Sequence, residues 1–396
     1  MAEATGLPEH RRRPLADLPE EILSEILLLL PPKSIIRCCV VCKALCCVAS
    51  DRVFLLAHHR RQPPRRLLSF VRDVGAVDDD LGVVDYCVEA LDFRTHEFRS
   101  VARFTADDFN NLVQDSPFAI HAACDGLLLM SYNNLLYLCN PTTRQWVSVF
   151  PPALEHDTVM GLYAYGPSSD FRVLYYRSIG EQEQLLFFIN TVGSEKERCI
   201  SPHLSWTSMK MWLGKAPQAT AFDEPFLYNG NLHWLPSLGG QNKILVFDTL
   251  TEVFGSLCPP GKIRAVASFL EIEGMLAMSN CHVGSSKVDL WLLQDYKRVV
   301  WVHKYRIQLP VMEIRRFERD GGWCSHVLSK EGDVLVDGLD WQFHYDIKGN
   351  LLDKFQCSGR LLTVTPHILR ESLVPHEVFR LQENESKHEP PFFRGL

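Results

Sequence analysis

Residues 15–54 read LADLPEEILSEILLLLPPKSIIRCCVVCKALCCVASDRVF, and the positions of proline and apolar residues in this stretch predict helices. Pro19 suits the first position of a helix, and Pro31-Pro32 ends that helix because proline has no backbone N–H to donate. Between these limits apolar residues recur at steps of three and four, which predicts one apolar stripe. The stripe consists of Ile22, Leu23, Ile26, Leu27 and Leu30.

Two further helices are predicted after Pro32. Ser34 can cap a second helix that runs to about Leu45, and Ser50-Asp51 can cap a third that runs to Leu56. Burying one Leu or Ile side chain is worth roughly 1.5–3 kcal/mol. Three short helices cannot cover the whole stripe of the first helix, so we expect a partner protein to cover part of it.

The flanking segments set the predicted domain boundaries. Residues 1–14 are polar and basic and are expected to be disordered, and 15–57 form the helical domain. Residues 58–66 contain RRQPPRR and are predicted to be a solvated linker. A β domain then spans 67–381, and 382–396 are expected to be a flexible tail.

A repeat runs through the β domain. Its first half is a glycine followed two residues later by an aliphatic residue, at Gly126, Gly230, Gly274 and Gly332. Its second half is a hairpin with Asp or Asn at the turn, at Asp92, Asn140, Asp248 and Asp346. An aromatic residue follows six positions later in the first three, as Phe98, Trp146 and Phe254, whereas Leu352 follows Asp346.

The spacing of the repeat indicates the architecture. Successive glycines lie 44 residues apart from 230 to 274 and 58 apart from 274 to 332, and a unit over Val159–Ile200 fills the gap before Gly230. Two hairpins in each such unit are typical of four-stranded propeller blades. The fold class is therefore α+β multidomain, with about six blades between 67 and 370. A pair of β-sandwiches is the alternative.

Composition narrows the function classes. The chain has 396 residues, of which 46% are hydrophobic, and a net charge of −7, which favours neither nucleic acid nor an anionic membrane as a partner. The first residues lack the apolar core of a secretory signal. The 13 cysteines are therefore expected to be reduced thiols in a soluble protein of the cytoplasm or nucleus.

The helical stretch resembles the F-box, without a gap from Leu15 to Phe54. The matching features are Leu18-Pro19, the acidic pair, the Ile22/Ile26 stripe, Pro31, Lys33-Ser34, Arg37 and Val41-Cys42-Lys43. The β domain is similar to the F-box-associated repeat region of plant proteins in CDGLLLM…CNPTTRQWVSV, YNGNLHWL…ILVFDTLTEVF and VDLWLLQDYKRVVWVHKYRI. Two positions differ from the F-box pattern: Leu45 stands where tryptophan is usual, and Leu29 where a basic residue is common.

The resemblance implies a division of labour. The F-box would dock on a Skp-type adaptor, which a cullin scaffold joins to a RING subunit, and the β domain would hold a protein substrate for ubiquitination. Catalysis would be proximity, with no residue of this chain transferring a proton and no cofactor. By analogy with the family, the adaptor face is predicted to consist of Leu18, Pro19, Ile22, Ile26, Ile35 and Cys42. The alternative is that these side chains form the core of the helices.

The sequence contains little evidence for a metal site or an enzyme active site. Cys38, Cys39, Cys42, Cys46 and Cys47 include a C-x-x-C pair, but they are predicted to lie within one helix as apolar filling rather than on the turns that hold zinc. No nucleophile elbow, phosphate loop or H-E-x-x-H motif occurs. His121 lies near Cys124 in sequence without a third group to orient it. A propeller enzyme and a non-degradative scaffold remain alternatives.

Substrate contacts are expected in loops between blades. Three insertions are longer than a turn requires, at 107–117, 201–218 and 312–323. The second contains Trp206 and Trp212 beside Met209 and Met211, and large aromatic residues are frequent in binding hot spots. Trp206 and Trp212 are therefore the predicted substrate-binding residues, with packing beneath a blade rim as the alternative.

Overall fold

A computed structural model gives the structure of the chain. The described residues are 18–73, 84–92, 95, 97–106, 118–154, 157–166, 168, 170–179, 184–200, 225–235, 242–263, 266–281, 287–315, 324–327, 332–337, 341–356, 360–382 and 391–393. They belong to two compact units. The helical unit lies within Met1–Pro63 and Arg370–Pro375, and the propeller unit within Pro64–Leu369 and His376–Leu396.

The helical unit confirms the prediction of helices at the start of the chain, with one difference. Its helices are α1 (Glu20–Leu27), α2 (Pro32–Val41), α3 (Lys43–Ser50) and α4 (Arg52–Arg61). The second predicted helix is therefore two helices. Cys42 has an extended backbone at φ −156° and ψ 159°, which interrupts the helical hydrogen bonds and lets α3 turn back onto α2.

The predicted linker at 58–66 is wrong, because α4 continues to Arg61 and the first strand begins at Arg65. Arg60 and Arg61 are exposed, but the other two arginines there are not: Arg65 lies 3.6 Å from the carboxylate of Asp92, and Arg66 donates to the carbonyl oxygens of Thr365 and Pro366. Both arginine side chains are buried. A run of basic residues that looks like a flexible connector thus supplies buried hydrogen-bond donors to the first sheet.

The propeller unit is built from antiparallel strands that form six four-stranded sheets in the described residues. The strands are β1 (Arg65–Asp73), β2 (Val84–Asp92), β3 (Glu97–Ala106), β4 (Phe118–Cys124), β5 (Leu127–Tyr132), β6 (Leu135–Asn140), β7 (Gln145–Val149), β8 (Asp157–Tyr165), β9 (Asp170–Ile179), β10 (Gln184–Thr191), β11 (Glu197–Ile200), β12 (Phe226–Tyr228), β13 (Asn231–Trp234), β14 (Ile244–Asp248), β15 (Val253–Leu257), β16 (Val266–Ile272), β17 (Met275–Cys281), β18 (Lys287–Asp295), β19 (Val300–Gln308), β20 (Cys324–Val327), β21 (Val334–Asp337), β22 (Trp341–Tyr345), β23 (Leu351–Gln356) and β24 (Arg360–Leu369).

The first blade combines the two ends of the β region. Its strand order is β24-β1-β2-β3, and the next five blades take β4–β7, β8–β11, β12–β15, β16–β19 and β20–β23 in sequence. The last strand thus pairs with the first, from Arg65 opposite Leu369 to Arg72 opposite Arg360. This pairing closes the ring through backbone hydrogen bonds. The predicted six-bladed propeller is confirmed, and the β-sandwich alternative is wrong.

The predicted turns have a clear structural basis. The glycines at 126, 230, 274 and 332 all have positive φ, which glycine adopts without strain. At the other hairpin of the blade, the side chains of Asn140, Asp248 and Asp346 accept hydrogen bonds from backbone N–H groups two to four residues later. These side chains hold the turn in place of a backbone carbonyl.

The chain end differs from the predicted flexible tail. Residues 370–375 belong to the helical unit, and short 3₁₀ turns follow at Glu377–Gln382 and Pro391–Phe393. Phe392 is completely buried, in a cluster with residues of the first two blades. Burial of this aromatic ring removes a large apolar surface from water and so offsets part of the conformational entropy that the segment loses on docking.

Candidate functional site

Helix α1 divides its apolar residues between two faces. Leu23 and Leu27 point into the helical unit and are 1% exposed, whereas Ile22 and Ile26 are 48% and 39% exposed. Ile22 and Ile26 are four residues apart and so lie on one side of the helix. Two of the five residues of the predicted stripe therefore form the core, two face outward, and Leu30 is half-buried.

Helix α2 carries a second exposed apolar row. Ile35 is buried against α1 and α3, but Ile36 and Val40, one turn apart, are 48% and 86% exposed. Val41, at the end of the same helix, is exposed as well. We call Ile22, Ile26, Ile36 and Val40 the apolar face of the helical unit.

The core beneath this face is well anchored. Asp51 caps α4 by accepting a hydrogen bond from the backbone N–H of Phe54, and the ring of Phe54 stacks on the buried ring of His58. His58 Nε2 lies 2.8 Å from the carbonyl oxygen of Leu30 and so donates to it. This bond holds the end of the α1 segment against α4.

Residues 370–375 complete the helical unit. Val374 is buried in the same core cluster as Leu23, Leu27 and Phe54, and Leu373 packs beside it. His59 Nδ1 lies 3.0 Å from the carbonyl oxygen of Glu371 and donates to it. The unit is therefore built from both ends of the chain, which the N-terminal pattern alone did not predict.

The residues predicted for the adaptor face separate into three groups. Pro19, Ile22 and Ile26 are exposed, and Leu18 and Cys42 are half-buried. Ile35 is 1% exposed and cannot contact a partner while the helices keep this packing. For Ile35 the structure supports the core interpretation, because α2 has more apolar residues than its inner face can hold and Ile35 takes the inner position.

Sequence reasoning missed the exposed residues Ile36, Val40, Val41 and Val53, and it did not include Leu29 in the face. A signal for the α2 residues was present: IIRCCVV is apolar at almost every position, so a helix there must expose some of them. The two residues that differ from the F-box pattern also differ in burial. Leu45 is buried in the core, whereas Leu29 is among the most exposed apolar residues.

Charged residues of opposite sign flank the two rows of the apolar face. The α1 side is flanked by Glu20, Glu21 and Glu25, whereas Lys33 and Arg37 flank the α2 side, and all five are exposed. A partner that covers both rows would match this division with basic groups opposite α1 and acidic groups opposite α2.

The five clustered cysteines are distributed over two helices and the junction between them. Cys38 and Cys39 lie on α2, Cys42 is the extended residue at the break, and Cys46 and Cys47 lie on α3, so the predicted single helical face is wrong. Burial, and then the nearby thiol of Cys46, raise the pKa of Cys39. In the described part of the chain no group of three or more His, Cys, Asp and Glu residues could hold a metal ion.

One pair in the propeller has the spacing of a nucleophile and a base. His121 Nε2 lies 2.8 Å from the hydroxyl oxygen of Ser131. Burial, followed by the nearby His367, lowers the pKa of His121 to about 4. A general base works best with a pKa near the operating pH, so this imidazole is a weak base. Burial also raises the pKa of the neighbouring Cys124 thiol, which keeps it protonated.

The predicted substrate residues Trp206 and Trp212 lie outside the described residues, as do the insertions 107–117 and 201–218. Of the third insertion, the first part forms a short helix, α5 (Val311–Ile314). Met312 on this helix is 74% exposed, whereas Ile314 is buried. None of the helices in the described ranges is both long and apolar enough to span a membrane.

Comparison with known proteins agrees with the two-unit organisation. A family model described as F-box-like matches residues 15–62, and one described as F-box associated beta propeller domain matches residues 92–361. No curated protein matches the sequence.

Two solved structures match this chain at low sequence identity and low structural similarity. One is the dihydro-heme d1 dehydrogenase NirN, with 11% identity, a TM-score of 0.31, and coverage of 70% of this chain and 54% of that chain. The other is a Bacteroides fragilis protein provisionally assigned as a 6-phosphogluconolactonase, with 9% identity, a TM-score of 0.33, and coverage of 75% and 98%. The chain spans about half the length of NirN. Neither likeness bears on activity.

The match to the propeller family covers more than half of the chain, and the six blades agree with its description. This chain therefore belongs to the family of proteins with an F-box associated beta propeller domain, and it carries an F-box-like segment at its N-terminal side.

Proposed function

We propose that the chain is the substrate-recognition subunit of an SCF-type ubiquitin ligase. The F-box-like unit would dock on a Skp-type adaptor, and through it on cullin and RING subunits, while the propeller would bind a protein substrate. F-box and F-box-associated propeller domains are typical of non-catalytic adaptors. Ubiquitination would then depend on proximity alone, because the captured protein is held at high effective concentration near the charged conjugating enzyme.

The observation that carries the proposal is the exposed apolar face of the helical unit. Val40 is 86% exposed, and Ile36 lies one turn before it on the same helix. Isolated exposed apolar residues are common, but two rows on neighbouring short helices indicate a surface that a partner covers. The F-box-like match over residues 15–62 includes both rows and points to a Skp-type adaptor as that partner.

The propeller would bind the protein substrate, and Trp206 and Trp212 are the predicted substrate contacts. The chain is expected to act in the cytoplasm, the nucleus or both, where such ligases and their reduced thiols are found. A scaffold that binds the adaptor without promoting degradation would use the same apolar face.

A binding experiment with purified components tests the adaptor face. We expect the full chain to co-purify with a Skp-type adaptor, and Ile36→Glu combined with Val40→Glu to weaken this binding at least 100-fold. Each glutamate places a charge in the buried centre of the interface, where it is costly without a partner. Isothermal titration calorimetry gives the two affinities.

Two controls make the result interpretable. Met312→Glu introduces the same charge at a similarly exposed apolar position of the propeller unit and should leave adaptor affinity unchanged. Circular dichroism of the double variant should show unchanged helix content. Adaptor binding that survives the double substitution would refute the proposed face. Reconstituted ubiquitination of a captured protein then separates a ligase subunit from a non-degradative scaffold.

A further inference from the structure

Phe392, near the end of the chain, fills a socket of aromatic rings in the propeller unit. Its ring centroid lies 5.7 Å from that of Phe118, 6.2 Å from that of Tyr132 and 5.6 Å from that of Tyr137. The three interplanar angles are 63°, 87° and 86°, so every contact is edge-to-face. This is the arrangement that aromatic quadrupoles favour, and it selects an aromatic ring over an aliphatic side chain of similar size.

The walls of the socket belong to the blades and not to the tail. Phe118 and Tyr132 face each other as a directly paired position of β4 and β5, and Tyr137 lies on the adjacent strand β6. On the other side Tyr86 of the first blade lies 6.5 Å from Phe118. Strand pairing therefore holds the socket in place independently of the segment that occupies it.

The segment that occupies the socket is not needed to close the propeller. The ring closes through the pairing of β24 with β1, which ends at Leu369, well before Phe392. The docked element is a single 3₁₀ turn, Pro391–Phe393, and eight residues separate it from the preceding turn at Glu377–Gln382. A short segment that is joined covalently to the domain it occupies acts as an intramolecular ligand at a high effective concentration.

We propose that this socket is a docking site for a partner peptide that carries an aromatic residue, and that Phe392 occupies it as an internal competitor. A partner segment must displace the tail before it can bind. Only a segment whose affinity for the socket is high enough to compete with the tail can therefore dock there. The inference goes beyond the proposed ligase role, because it concerns peptide binding by the propeller and requires no adaptor.

Full-length protein with Phe392→Ala provides the direct test. The probe is a fluorescent peptide of residues 388–396, HEPPFFRGL, and the measurement is fluorescence anisotropy. The variant should bind the peptide at least tenfold more tightly than the wild type, whose socket is filled. A peptide with alanine in place of the phenylalanine that corresponds to Phe392 should lose this binding. Phe150→Ala, at an exposed phenylalanine elsewhere in the propeller unit, should behave as the wild type.

A second variant controls for the case in which Phe392→Ala fails to fold. Phe392→Leu keeps an apolar side chain in the socket but loses the edge-to-face contacts, so it should remain folded and bind the peptide more tightly than the wild type. If neither variant binds the peptide more tightly than the wild type, the proposal is overturned and Phe392 is a core residue only. Because adaptor is absent from this assay, its outcome is independent of the test of the apolar face.

Discussion

A buried histidine in the fourth blade should make the stability of the propeller sensitive to acid. His233 on β13 is completely buried, with Nδ1 3.1 Å from the carbonyl oxygen of Phe226 and Nε2 2.8 Å from the hydroxyl of Tyr296. A carbonyl oxygen only accepts, so Nδ1 carries the proton and Nε2 accepts from Tyr296. The neutral ring is therefore fully hydrogen-bonded as it stands.

The sign of the pH effect follows from the pKa. Burial lowers the pKa of His233 from 6.5 to about 4, although hydrogen bonds to the backbone oppose this shift. Between pH 6.5 and 4 the unfolded chain binds a proton at this residue and the folded chain does not. The contribution of the neutral ring to stability is thus complete above pH 6.5 and is lost as the pH falls towards 4.

The size of the effect can be worked out for one condition. At pH 5, about 1.5 pH units below the unfolded pKa, the loss is roughly 2 kcal/mol, because each pH unit is worth about 1.4 kcal/mol. His233→Gln keeps a donor and an acceptor but cannot titrate. Between pH 7 and pH 5 the wild type should therefore lose about 2 kcal/mol more unfolding free energy than the variant, a difference of the order that linkage assigns to one buried imidazole.

Urea denaturation at the two pH values measures this difference. Carboxylates and other histidines contribute equally to both proteins, so their effects cancel in the comparison. Equal losses for the wild type and His233→Gln would refute the reasoning, because they would show that the folded protein accommodates a charged imidazole at this site.

Two further substitutions test how the units are held together internally. Val374→Asp would bury an unpaired carboxylate in the core of the helical unit. It should lower the free energy of unfolding by at least about 3 kcal/mol and unfold the helical unit, which circular dichroism would detect. Pro375→Ala, at the exposed neighbouring position, should have little effect. Glu252→Gln would remove the negative charge of the side chain that accepts hydrogen bonds from Arg172 and Arg198. Arg172 is largely buried and would then lack the carboxylate that balances its charge. We expect a loss of about 3 kcal/mol, seen as a melting temperature lower by about 4 °C; an unchanged melting temperature would show that the ion pair of Glu252 and Arg172 contributes nothing.

The repeat of the β domain was predictable because its turns depend on local chemistry. A positive φ at Gly126 or Gly274 and a side-chain cap at Asn140 or Asp248 need only neighbouring residues, so they leave a pattern that can be found without knowing the fold. One occurrence was still missed. In the fifth blade Asp295 accepts a hydrogen bond from the backbone of Arg298, and Trp301 follows it by six residues.

The candidate site was predictable only in part. The resemblance to the F-box placed Ile22 and Ile26 on the adaptor face, and the structure leaves both exposed, whereas the spacing alone put them in one stripe with the buried Leu23 and Leu27. The same spacing could not separate Ile35 from Ile36, which are adjacent in sequence but lie one inside and one outside the unit. Which of them points inward depends on where α3 packs, and that depends on the break of the helix at Cys42.

The sequence by itself determined the order of the two units, the helical character of 20–57 and the number of blades, because each of these depends on periodicity and turn residues within short stretches. Only the tertiary structure decided the roles of the residues that act across long separations. Arg66 bonds to the last strand, Val374 completes the core of the first helices, and Phe392 fills a socket between the first two blades. The physical reason is that such contacts join residues separated by about 300 positions, and no local pattern of charge or hydropathy records which partner a side chain will meet.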